Sequence, residues 1–151
     1  MPVLAPLTPE RVVLPISSTR KVDAIREIAC LFQSSGSVTD FRRFLSALLQ
    51  QEQRFGSGVE KGVALSHYRD ETIVDPVIGL GISKQGIDWG DGSVVNILVL
   101  IGWPDKHQKV YLQTVAQLAS ALHQNSIRSK VLEATDTDTI VKAIKSSVGS
   151  D

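Results

Sequence analysis

The stretch Gly56-Ser57-Gly58-Val59-Glu60-Lys61-Gly62-Val63-Ala64-Leu65-Ser66-His67-Tyr68-Arg69 decides how the chain is read. Three glycines in seven residues supply a backbone that takes positive φ and comes close to an anion. Val63, Ala64 and Leu65 then read as a short buried strand that ends at His67, which leaves the imidazole half exposed at a strand end. Neutral imidazole is a nucleophile near neutral pH, and Arg69, two residues on, falls on the same side of an extended chain. Loop, histidine and arginine together suit a phosphoryl group. The competing account is a hydrogen-bonded structural histidine, the commoner fate of a single histidine after a glycine-rich segment.

Upstream of this stretch, Pro2, Pro6 and Pro9 make the first ten residues irregular, and Arg11-Val12-Val13-Leu14 before Pro15 suits an edge strand. From about Thr19 to Ser35 the positions Val22, Ile25, Ile28, Ala29 and Phe32 recur at helical spacing, with Thr19 as N-cap and Gly36 as the stop. Thr39 opens a second helix to about Glu52, with Phe41, Phe44, Leu45, Leu48 and Leu49 on one face.

Downstream come Val77–Ile82, a turn near Lys84-Gln85-Gly86, Ile87-Asp88-Trp89, a turn at Gly90-Asp91-Gly92, and the apolar run Val94–Ile101. A long helix follows, roughly Gln108 to His123, with Tyr111, Val115, Leu118 and Leu122 on its apolar side. Ser126–Glu133 and Asp136–Ser147 are two closing helices facing inward through Ile127, Val131, Ile140, Val141 and Ile144. Strand, two helices, several strands and three helices predict an α/β fold in which one mixed sheet carries helices on both faces, the whole chain 1–151 forming one domain.

At 151 residues, with 42% hydrophobic content, the chain is long enough for one sizeable core. Sixteen basic residues balance sixteen acidic ones, so no global field draws it to nucleic acid or to an anionic membrane surface. The run Val94–Ile101 is far short of the ~20 residues a spanning helix needs, so no membrane insertion is expected. A lone Cys30, read as a small core or boundary residue, and a start without the pattern of a secretory signal point to the cytoplasm. Three scattered histidines and one cysteine lack coordinating spacing, so neither metal nor cofactor is expected. His123 at a helix C-terminus suits the helix dipole, and Trp89 and Trp103, near the two ends of the last strand, read as packing residues.

The element order, with Gly58-x-x-x-Gly62-Val63-Ala64-Leu65-Ser66-His67, resembles the type 2 enzyme IIA domain of the sugar phosphotransferase system, the mannitol/fructose and nitrogen-regulatory branch. That family's loop reads roughly Ser-Thr-Gly-Ile-Gly-x-Gly-Ile-Ala-Ile-Pro-His. Further likeness lies in Ser34-Ser35-Gly36, Val38-Thr39-Asp40, the Phe44-Leu45-x-x-Leu48-Leu49 run, Tyr111-Leu112-Gln113 and Leu118-Ala119.

The resemblance implies that His67 accepts a phosphoryl group from the carrier protein HPr and hands it to a IIB domain, or uses it as a regulatory signal. Arg69 matches the basic residue that commonly follows that histidine by two places. Ser57, Gly58, Gly62 and the start of the long helix are the expected phosphate binders, because phosphoryl transfer between imidazoles asks for positioning and charge neutralisation. Lys61, Arg69, Lys106 and Lys109 would form a docking patch around His67.

Three positions depart from the family pattern. Its proline before the histidine is Ser66, an arginine sixteen places earlier is Gln51, and its second active-site histidine is Tyr111. Tyr111 donates a hydrogen bond but carries no positive charge near neutral pH. His107, four residues earlier, is either a replacement facing the same side or a solvated residue of a polar loop. The alternative function is therefore a regulatory module that binds a transporter, channel or kinase with little or no phosphotransfer.

Overall fold

The computed structural model describes residues 4–54, 59–106 and 108–147. Five strands form one sheet: β1 (Val12–Val13), β2 (Val59–Glu60), β3 (Val63–Asp70), β4 (Val77–Asp88) and β5 (Val94–Pro104), in the spatial order β1-β4-β5-β3-β2. β1 runs parallel to β4 and β3 parallel to β5, while β4–β5 and β2–β3 are antiparallel, so the sheet is mixed.

Side chains alternate between two cores, as strand geometry demands. One face packs Ile78, Leu80, Ile82, Ile97, Val99 and Ile101 against α3 (Gln108–His123), α4 (Asn125–Glu133) and α5 (Thr137–Ser147). The other packs Ala64, Val77, Leu98 and Leu100 against α1 (Lys21–Ala29) and α2 (Phe41–Arg54). This is the expected three-layer α/β arrangement, with buried central strands that read as near-continuous apolar runs.

Close packing of α1 on the sheet rests on two glycines of β4. A Cβ on Gly79 would lie 2.5 Å from Ile28 Cγ2, and one on Gly81 would lie 2.2 Å from Ile16 Cδ1. The sheet has no room there for any side chain.

Several expectations need correction. The first helix is shorter than Thr19–Ser35: it begins after Arg20, ends at Ala29 and tightens into a 3-10 turn at Cys30–Phe32. That turn swings Phe32 fully into the core and leaves Cys30 exposed rather than in the core or at its boundary. Val22, expected on the apolar face, is 47% exposed. The second helix is capped by Asp40, whose Oδ1 accepts from the Arg43 amide at 3.1 Å. Thr39 instead donates its hydroxyl to the Thr72 carbonyl. Within the first ten residues Leu4 and Leu7 are buried core residues.

The turn expected near Lys84-Gln85-Gly86 is a break in register inside one continuous β4, between Ile82 and Ile87. Trp89 and Trp103, each 3% exposed, pack into opposite cores.

Candidate functional site

β3 does not end at His67 but runs three residues further, to Asp70, held throughout by parallel pairing with β5. On its other edge β2 pairs only with Val63 and Ala64. The histidine therefore sits mid-strand, next to β5 on one side and past the end of β2 on the other.

Strand alternation turns His67 toward the α3 face, and Tyr111, in the first turn of α3, meets it there. His67 Nδ1 and the Tyr111 hydroxyl share a hydrogen bond. The two rings stand edge to face, centroids 5.7 Å apart. Behind Tyr111 lies Trp103, its ring centroid 6.0 Å from that of the phenol, which fixes the phenol between strand and helix.

Arg69 projects from the same face two residues on. Its guanidinium carbon lies 5.7 Å from the Tyr111 ring centre, and its Nε lies 3.9 Å from Asp105 Oδ1. With a side chain 31% exposed, the guanidinium keeps access to solvent. α3 begins at Gln108, three residues before Tyr111, so the start of that helix lies next to the site.

Gln51 of α2, the position where an arginine was expected to be missed, has a definite task. Its Nε2 donates to the His67 carbonyl oxygen at 2.7 Å. Ser66, one residue before the histidine, is 1% exposed, and its hydroxyl has no hydrogen-bond partner among the described residues.

Burial lowers the pKa of His67 from its ordinary 6.5; the charge of Glu52 opposes that effect. Glu52 is 5% exposed and paired with Lys21 Nζ at 3.2 Å. Burial raises the pKa of Tyr111 above 10, with the Arg69 charge acting against it. At neutral pH the pair is therefore a neutral imidazole on a neutral phenol.

Of the residues singled out from sequence, the structure brings His67, Arg69 and Tyr111 together. It places Gly62 elsewhere. Lys61 and Gly62 have φ of 56° and 77°, the backbone of a two-residue turn joining β2 to β3. Gly62 thus lies five residues along an extended strand from His67, about 16 Å. The Asn96 and Ile97 amides donate to its carbonyl, and a Cβ there would meet Asn96 Oδ1 at 2.9 Å. There it closes the hairpin between β2 and β3. Ser57, Gly58 and His107 lie outside the described residues.

The site residue that sequence reasoning read only as a loss is Gln51. Its spacing of sixteen residues from His67 was visible, but a backbone acceptor leaves no trace in side-chain identity.

A mixed sheet between two helical layers, with one half-buried histidine aimed at the start of a helix and an arginine beside it, defines a class of histidine-centred α/β/α domains. Residues 5–147 match the family "Phosphoenolpyruvate-dependent sugar phosphotransferase system, EIIA 2", and the chain belongs to it. The PTS system fructose-like EIIA component of Escherichia coli K12 is 25% identical over 150 residues, which cover 97% of this chain and all of that protein. The PTS system fructose-specific EIIABC component of Bacillus subtilis is 27% identical over 140 residues, 91% of this chain. This chain spans about a fifth of that larger protein, 22% of its length. In three dimensions the chain superposes on the complex of enzyme IIA-mannitol with phosphorylated enzyme IIB-mannitol from Escherichia coli. The TM-score is 0.78 at 16% identity, covering 93% of this chain and 97% of that one. No helix among the described residues is long and apolar enough to cross a membrane.

Proposed function

We propose that the chain is a phosphohistidine carrier that accepts a phosphoryl group on His67 Nε2 from the phosphohistidine of an HPr-like protein and passes it to a IIB partner. One observation carries this reading: the hydrogen bond between His67 Nδ1 and Tyr111. With Nδ1–H donating to the phenol oxygen, the lone pair is on Nε2, the nitrogen left for attack.

In the transfer the P–N bond of the donor breaks as a P–N bond to His67 Nε2 forms. No proton moves in that step. The donor ring becomes neutral and the His67 ring gains one positive charge, delocalised over a ring whose Nδ1–H is still held by Tyr111. Arg69 and the start of α3 face the phosphoryl oxygens, and the helix terminus contributes ~1 kcal/mol toward an anion placed there. Lowering the pKa of His67 serves the same step, since only the neutral ring attacks. The exposed Lys106 and Lys109 suit the rim of a docking surface for an acidic partner face. Such a carrier works in the cytoplasm, where its donor and acceptor are.

The binding-module reading draws on Gln51 and Tyr111. Gln51 spends its amide on a backbone carbonyl, and neither residue brings a cation to the phosphoryl group. One experiment separates the two. The protein is incubated with phosphoenolpyruvate, enzyme I and HPr, then weighed intact under alkaline conditions that preserve phosphohistidine. A gain of one phosphoryl group, absent in His67→Ala, is expected of a carrier. No gain in a folded sample, or the same gain in His67→Ala, refutes it and leaves the binding module.

A further inference from the structure

His67 is tied at two points to two helices on opposite faces of the sheet. Its ring is held by Tyr111 of α3, and its carbonyl oxygen by the Gln51 amide of α2 at 2.7 Å. The second tie falls where the strand needs one. Among the described residues β2 pairs only with Val63 and Ala64, and no strand lies beside the outer edge of β3 from Leu65 onward. A carbonyl on such an edge either takes a solvent partner and lets the strand breathe, or is captured by a side chain. Gln51 captures it one turn before the end of α2, from a helix rooted in the core by Phe44 and Leu48, both fully buried.

From this geometry we infer that Gln51 is a positioning residue for the reaction at His67: it fixes the backbone of β3 so that the imidazole meets Tyr111 and presents Nε2 outward. Gln51 touches no reacting atom. It acts through the main chain, by donating to the His67 carbonyl. The neighbouring strand residue leaves this tie more to do, since Ser66 lets φ relax where a proline would lock it. An edge strand free to shift by a fraction of an ångström carries the ring with it, and displacement on that scale is costly for a step that depends on alignment.

The inference rests on the carrier reading for its kinetic consequence but not for its structural one, so two readouts are needed. Gln51→Leu keeps side-chain bulk without the donor; Gln51→Arg keeps N–H donors. Each is prepared with 15N-labelled histidine alongside the wild type, and the His67 tautomer is read from long-range proton–nitrogen correlations. Phosphoryl transfer from phosphorylated HPr is measured in parallel and resolved into a maximum rate and a KM for the donor.

Gln51→Leu is expected to fold normally, to show averaging of the two His67 tautomers in place of the Nδ1–H form, and to lose roughly ten- to a hundredfold in maximum rate with KM unchanged. Gln51→Arg is expected to restore tautomer and rate together. A wild-type tautomer and maximum rate in folded Gln51→Leu would overturn the inference, as would a loss that disappears once activity is scaled to the folded fraction. If the wild type takes no phosphate, the carrier reading fails while the nitrogen spectra still decide whether Gln51 sets the ring.

Discussion

The Tyr111 hydroxyl and His67 Nδ1 share a hydrogen bond across 44 residues of sequence, joining the first turn of α3 to the middle of β3. The bond ties the imidazole to the start of α3 and sets Nδ1, not Nε2, against the phenol. Tyr111→Phe removes the hydroxyl but keeps the ring against Trp103. The transfer rate is expected to fall by about tenfold or more, with the far-UV spectrum and the unfolding midpoint little changed. A rate within twofold of wild type would show that the hydroxyl does not orient the imidazole.

The depressed pKa of His67 makes stability depend on pH with a definite sign. The unfolded chain takes up the proton near 6.5, the folded chain only at lower pH, because burial disfavours the charged ring. The contribution is therefore fully present above pH 6.5 and is lost as the pH falls through 6.5 toward the folded value. Denaturant midpoints of wild type and His67→Gln, compared between pH 8 and 5, should diverge in that window, the wild type losing more. Parallel curves would mean that the ring titrates normally.

Glu52 opposes the effect of burial on His67. Replacing it by Gln removes a buried negative charge, so the pKa of His67 should drop further in an NMR titration of the ring protons. A rise would assign the dominant influence to some other group.

Gly81 of β4 faces Ile16 and Ile28, with a virtual Cβ 2.2 Å from the first and 2.8 Å from the second. Gly81→Ala must push these core residues apart and is expected to cost about 1–3 kcal/mol, seen as a lower denaturant midpoint at constant m-value. Because this glycine lies on the α1 side of the sheet, transfer at His67 in the remaining folded protein should be unaffected. Wild-type stability in Gly81→Ala would mean that α1 adjusts freely and that its packing on the sheet is not tight.

Much of this architecture was legible in the residues. The long helix over Gln108–His123 and its inward face followed from helical periodicity, and the strand over Val94–Ile101 from an apolar run too short to be anything else. What misled was local chemistry that depends on tertiary partners. Val22 fits the helical repeat but lies on the solvent side of α1, and Asp40 rather than Thr39 caps the second helix because Thr39 bonds the Thr72 carbonyl. The strand through His67 looked complete at the histidine because Tyr68, Arg69 and Asp70 are not an apolar run. It is the parallel pairing with β5, a contact across more than thirty residues, that extends it. That Arg69 shares a face with His67 follows from strand alternation, whereas the meeting of His67 with Tyr111 could be expected only through the family likeness. Gln51, read as an absence of charge, proved to be a backbone anchor because no pattern of side chains encodes which carbonyl an amide will find.

The central claim is that His67 waits as the Nδ1–H tautomer, held by Tyr111, and takes phosphate on Nε2. Long-range proton–nitrogen spectra of 15N-histidine-labelled protein, recorded before and after exposure to phosphorylated HPr, test it directly. The account expects a pyrrole-type Nδ1 and a pyridine-type Nε2 at the start, then a phosphorus coupling at Nε2 alone. A starting Nε2–H tautomer, a coupling at Nδ1, or unaltered His67 signals in the presence of an active donor would contradict it.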